Sequence, residues 1–160
     1  MMVDYSRLST NWRKWTAISR LDEVSISREC DDCTIKFKAT DYEFHLRQTE
    51  SWWVVDTVND RGQRHNDTAK LSTFELAEKY LIWKWGSMAR GIVGAERLGP
   101  RLYALGYSHE VSVTQIAEGI AELHSPQGDA ILMEPDATIF SHFIPRSIED
   151  IEETLSEGIS

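Results

Sequence analysis

The sequence predicts an α+β fold in which an antiparallel sheet packs against a long central helix, with short N-terminal and C-terminal helices. Three observations carry this. Apolar and polar residues alternate with period two over 33–39 and again over 42–47, the pattern of half-buried strands. Phe74, Ala77, Leu81, Trp85 and Met88 recur at helical spacing. Two strand-like runs, 120–124 and 130–133, flank the turn-forming Ser125-Pro126-Gln127-Gly128-Asp129. At 160 residues the chain fits one domain, 1–160, and can bury a core without metal or disulfide staples.

In chain order, Leu8, Trp12, Trp15 and Ile18 share one face of an N-terminal helix ending near Ser19, with Ser9 and Thr10 as candidate caps. Residues 20–32 are a polar stretch. Two alternating strands follow, joined by Thr40 and Asp41. Residues 52–58 are β-branched and aromatic, a strand buried on nearly both faces. Asn59-Asp60-Arg61-Gly62 reads as a hairpin turn, and 63–70 as a polar edge strand that completes a meander.

Ser72 and Glu75 match the capping box ahead of the central helix. Leu76, Tyr80 and Trp83 widen its apolar surface, so it should be mostly buried. Glu75 and Lys79 form an i,i+4 pair on the polar strip that remains. Gly91 and Gly94 mark its end. A short helix over 99–105 stops at Gly106, and Val111 and Val113 begin another strand. Residues 136–144 fit helix or strand equally. Ser147 caps a last helix that points Ile148, Ile151 and Leu155 inward, with Glu149 and Asp150 in its first turn, where the dipole favours them.

The charge narrows the function. With 26 acidic and 17 basic side chains the net is −9, the wrong sign for neutralising phosphates, so neither nucleic acid nor an anionic membrane is an expected partner. No apolar run approaches the length of a membrane span, and the first ten residues hold no signal-peptide core, so the expected address is cytoplasmic.

The motifs of catalysis do not assemble. Cys30-Asp31-Asp32-Cys33 leads into a strand, not a helix N-terminus, and its two carboxylates oppose thiolate formation. A zinc site needs two further ligands at metal spacing. Two reduced thiols at a strand entry are therefore expected. The five histidines are scattered, and His45 and His124 read as structural. Gly91, Gly94 and Gly99 form no phosphate loop, and Gly86-Ser87-Met88 lacks the nucleophile-elbow pattern. No carboxyl is evidently placed in the apolar pocket that general acid catalysis requires. The expectation is no catalytic residue, no metal and no cofactor.

Tryptophan is abundant, with six residues. Trp52, Trp53, Trp83 and Trp85 lie within strong strand or helix patterns and read as core. Trp12-Arg13-Lys14-Trp15 mixes aromatic and cationic side chains, the types enriched at interface hot spots. Either both indoles lie on the sheet, with Arg13 and Lys14 in water, or the segment meets a partner. In both cases Arg13 and Lys14 project outward. The sequence points to a protein that works by binding another protein.

From about residue 53 to 155 the chain resembles the small bacterial immunity proteins of polymorphic toxin systems. The resemblance rests on Ser72-Thr73-Phe74-Glu75-Leu76-Ala77-Glu78-Lys79-Tyr80-Leu81, on Arg90, on Leu98-Gly99-Pro100-Arg101-Leu102-Tyr103-Ala104-Leu105-Gly106, and on Glu134-Pro135-Asp136-Ala137-Thr138. It implies an antitoxin: a non-enzymatic partner that forms a 1:1 complex with a cognate secreted toxin, a domain that hydrolyses NAD, and blocks its cleft. A secretion chaperone or adaptor is the alternative for an acidic binding protein. The expected partner-binding residues are Trp12, Arg13, Lys14 and Trp15, and Asp60 and Arg61 at the hairpin tip, with Glu152 and Glu153 of the last helix as a competing contact.

Overall fold

A computed structural model describes residues 3–159. Within them, eight strands form one antiparallel sheet: β1 (Ser25–Ser27), β2 (Ile35–Ala39), β3 (Tyr42–Gln48), β4 (Trp53–Val58), β5 (Arg64–Leu71), β6 (Ser112–Ala117), β7 (Ile120–Ser125) and β8 (Gly128–Met133). The spatial order is β1-β2-β3-β4-β5-β8-β7-β6. Two meanders therefore meet where Ala69, Lys70 and Leu71 pair with Leu132, Ile131 and Ala130. The helices are α1 (Ser6–Ile18), α2 (Phe74–Val93), α3 (Leu98–Ala104), α4 (Asp136–Phe140) and α5 (Ile148–Ser156).

The sequence alternation becomes a layer of core. Ile35, Leu46, Val55, Ala69, Leu132 and Ala121 lie in register across six strands and are all buried. Above this row, α2 packs on β4 and β5, with α1 and α5 on its flanks. Trp12 and Trp85 join Phe37 and Phe44 in an aromatic cluster with ring centroids 4.8 Å (Phe37–Trp85) to 6.1 Å (Trp12–Phe37) apart, edge-to-face except for the tilted Trp12–Trp85 pair. At Gly86 a Cβ would come within 2.7 Å of a Leu155 methyl, so α2 and α5 approach closely there. Ser147 caps α5 as expected, its Oγ accepting the Asp150 N–H at 3.1 Å. Among the described residues no helix is long and apolar enough to cross a membrane.

Several expectations are corrected. Helix α1 starts at Ser6, with the Asp4 carboxylate accepting the Ser6 N–H at 2.9 Å, so Ser9 and Thr10 lie inside the helix and cap nothing. The polar stretch contains the short edge strand β1. Cys30 and Cys33 are joined in a disulfide, not held as reduced thiols: the turn through Asp31 and Asp32 brings their Cα atoms to 5.5 Å, within bridging range. Strand β5 is interior, because its last three residues pair with β8 while its polar first half stays exposed.

The N-cap of α2 is Thr73, whose Oγ1 accepts the Leu76 N–H at 3.1 Å. Ser72 is diverted, its Oγ accepting the Asp129 N–H from the neighbouring hairpin at 2.7 Å. Lys79 is no part of a polar strip: it is 2% exposed, and its Nζ donates to the Ile144 carbonyl at 2.9 Å while Glu75 sits 3.4 Å away. The ambiguous segment after Glu134 resolves into α4 followed by turns.

Candidate functional site

The two sequence-predicted contact groups fall on different elements, with no hydrogen bond or ion pair joining them among the described residues. Trp12 and Trp15 are fully buried. Trp15 Nε1 donates to Asn11 at 3.1 Å, and Asn11 in turn reaches Glu152 at 2.8 Å. Their area thus holds α1 to the core and is not available to a partner. Arg13 is exposed. Lys14 donates to Ser156 Oγ at 2.8 Å and lies 4.5 Å from the Trp15 ring centroid, so it is tied to the α1–α5 seam. Glu152 is similarly engaged by Arg7 at 2.9 Å, leaving Glu153 as the freely exposed member of the competing acidic pair.

Asp60 and Arg61 are both exposed at the tip of the β4–β5 hairpin. The tip is built to be stiff. Asn59 Oδ1 accepts the N–H groups of Arg61 and Gln63 at 3.0 Å each, an Asx-type turn, and Gly62 takes a φ of 75°, which an L side chain disfavours. Beneath it a notch of about 360 Å³ is lined by Asp41, Glu43 and Asp60, with Tyr42 and Phe44 as its apolar wall. The same tyrosine and phenylalanine wall a second cavity of about 570 Å³ between β3 and the C-terminal half of α2, reaching Leu98, Gly99 and Pro100 of α3. Sequence reasoning missed this cavity, because its walls come from segments far apart in the chain.

Three polar constellations lie outside these cavities. Asp56, within the most apolar strand, is wholly buried and meets Arg47 at 2.8 Å, Arg64 at 3.1 Å and the Asp67 N–H at 2.8 Å. Burial works against its charge, but those bonds outweigh it and hold its pKa below the ordinary value. Arg64 also reaches Asp32 at 2.8 Å, tethering the disulfide loop to the hairpin that carries Asp60.

Glu78 is a carboxyl held above its ordinary range, in a cleft lined mostly by charged and polar side chains and not in the apolar pocket that general acid catalysis requires. Burial in the seam between α1, α2 and α5 pushes its pKa up to about 7, with Arg7 opposing the rise and Asp4, Glu75 and Glu152 adding to it. His124, read as structural, sits between Asp129 at 3.2 Å and Glu122 at 3.5 Å, so each ring nitrogen faces a carboxylate.

A two-layer sheet-and-helix scaffold, its buried polar groups largely tied up internally and its stiff charged tip beside open cavities, has the make-up of a binding module. The chain belongs to the Immunity protein 61 family, which it matches over residues 18–157. The match begins well before the region where the resemblance is legible by eye, though after nearly all of α1. The fold is similar to that of Rv3902c from M. tuberculosis, at 18% sequence identity and a TM-score of 0.69, covering 98% of this chain and 93% of that one. No curated protein matches the chain.

Proposed function

We propose that the chain is an antitoxin that binds a cognate secreted toxin one-to-one in the cytoplasm of the producing cell, occupies its substrate cleft, and that this toxin is an NAD glycohydrolase. Membership of an immunity protein family supports the antitoxin role. The observation that carries the mode of action is the stiff β4–β5 tip, which presents Asp60 and Arg61 over a notch of three carboxylates. A cleft made for an anionic dinucleotide presents cationic and polar groups, and an acidic tip complements that field. A preorganised turn also enters such a cleft with little ordering cost. On α1, Arg13 is the accessible second contact, with Lys14 beside it and Trp12 and Trp15 fixing the helix from within.

Co-purification with the cognate toxin, followed by NAD hydrolysis with and without this protein, tests the reading. The expected result is a stable complex and stoichiometric loss of turnover. A complex that leaves turnover intact would mark a chaperone or adaptor instead. Charge reversal separates the contacts. Asp60→Arg with Arg61→Glu should weaken binding at least about tenfold, and Arg13→Glu with Lys14→Glu less. A pair that stays within about threefold of the parent, under roughly 1 kcal/mol, is not at the interface.

A further inference from the structure

The end of α2 and all of α3 leave apolar area uncovered. Ile92 and Val93 are 49% and 46% exposed, Tyr103 is 51% and Leu105 69%, and α3 buries none of its residues. Four of the seven large hydrophobic side chains exposed among the described residues therefore fall on this one segment. Single exposed hydrophobics are ordinary, but a cluster marks an interaction surface.

The surface is concave. A cavity of about 700 Å³ beside Ile92 and Val93 shares Ile92 with the 570 Å³ cavity already described, and that one shares Gly99, Pro100 and Ile139 with a third of about 580 Å³ beside Tyr103. The last two form one groove against α3, which the first meets only at Ile92. Glu134 lines the cavity beside Tyr103, but the central cavity differs in charge from the rest of the molecule. The central cavity holds Lys84, Arg90 and Arg97 against one carboxylate, Asp136. Lys84 neutralises Asp136 at 3.0 Å, and Arg90 is turned inward onto the carbonyls of Glu96, Leu155 and Glu157 at 2.8, 2.8 and 2.6 Å. Arg97 lines the cavity, is exposed, and has no hydrogen bond or ion pair among the described residues. In a chain of net charge −9, the groove thus offers an uncompensated cation over an apolar floor.

We propose that this groove docks a segment of the cognate toxin in which a large apolar residue is flanked by a carboxylate. The apolar residue fills the central cavity against Trp83, Met88 and Ile139, and the carboxylate meets Arg97. A carboxylate–guanidinium contact beside an apolar anchor is the combination that concentrates binding energy at interfaces. Tyr42 and Phe44 continue from this groove into the acidic notch beneath the hairpin tip, so one toxin face reaches both. The two cavities then demand opposite charges of that face, which fixes its register. The inference rests on the antitoxin reading and adds a second, independently breakable contact to it.

The test uses the full chain and the cognate toxin domain. Arg97→Glu combined with Tyr103→Ala changes two exposed side chains, so its thermal midpoint should stay within about 2 °C of the parent. Its affinity for the toxin should fall at least about thirtyfold. Hydrogen exchange on the parent complex should show residues 91–105 protected by the toxin. Affinity within threefold of the parent, or no protection there, overturns the groove while leaving an inhibitory wild-type complex, and with it the antitoxin reading, intact. A wild-type chain that neither binds nor inhibits the toxin overturns both. If the free protein sediments as a dimer that Tyr103→Ala dissociates, a second copy fills the groove and the toxin assignment fails.

Discussion

At the scale of single residues, buried charge dominates. Asp56 holds together β3, β4 and the start of β5 through two arginines and a backbone N–H. Asp56→Ala would leave Arg47 and Arg64, each about a third exposed, without their shared carboxylate, and should cost about 1.5–3 kcal/mol in denaturant unfolding, the range for hydrogen bonds to a charged group. A loss below about 1 kcal/mol would show that water replaces the carboxylate. Because the folded pKa of Asp56 lies below its ordinary value of 3.8, its contribution is fully present above that value and disappears as pH falls through the folded pKa. Glu78 has the opposite sign. Its folded pKa of about 7 exceeds the ordinary 4.5, so the folded state holds the proton more tightly and stability falls as pH rises between those values. Glu78→Gln should raise stability at pH 8 by on the order of 1 kcal/mol, after allowing for its partial exposure, and by almost nothing at pH 4. An equal gain at both pH values would trace the effect to packing instead of charge. Asp56 had a sequence signal, an acid inside the apolar run Trp52-Trp53-Val54-Val55-Asp56-Thr57-Val58. Glu78 had none, since its burial depends on how α1 and α5 close over α2.

At the scale of elements, α2 organises the molecule. Leu81 is fully buried on it, and Leu81→Asp places an unpaired charge in the core, so the variant should not fold; a soluble protein with a cooperative thermal transition would contradict this packing. Trp12→Ala should cost about 3–5 kcal/mol, since it removes the indole that joins α1 to Trp85 and Phe37 and leaves a cavity, measured as a shift of the urea midpoint at unchanged slope. The existence of these elements was legible because their apolar spacing answers to one period each. What periodicity does not carry is what a side chain meets from elsewhere. Ser72 satisfies every local condition for a cap, yet the hairpin N–H of Asp129 claims its oxygen and Thr73 takes the role. Lys79 looks solvated beside Glu75, yet the Ile144 carbonyl draws it inside. Residues 63–70 read as an edge because six of them are polar or charged in a row, whereas three residues at the far end suffice to join the two meanders. Of the proposed contact residues, the geometry of the hairpin tip was legible from Asn59-Asp60-Arg61-Gly62, since turn chemistry is local. The α3 groove was not, because Phe44, Trp83 and Ile139 become neighbours only in the fold.

At the scale of the whole molecule, the surface is acidic with a local exception. A net charge of −9 and an isoelectric point near 5.0 give a field that acts beyond contact distance, while Arg97 in the proposed groove would act only once a partner is seated. Long-range attraction governs how fast a complex forms, and short-range packing governs how slowly it separates. The two therefore respond differently to salt. If the acidic face meets a cationic substrate cleft, raising ionic strength from about 0.01 to 0.15 M shortens the screening length from about 30 to 8 Å, and the association rate should drop by about tenfold or more. The dissociation rate should change by less than about threefold, because the anchoring contacts are shielded from solvent. Stopped-flow mixing with the toxin at several salt concentrations reads both rates. Reversing Asp60 and Glu43 to lysine should flatten the salt dependence of association, while Arg97→Glu should act mainly through dissociation. An association rate indifferent to salt would remove electrostatic steering from the mechanism and leave the apolar groove and the shape of the hairpin tip to carry recognition.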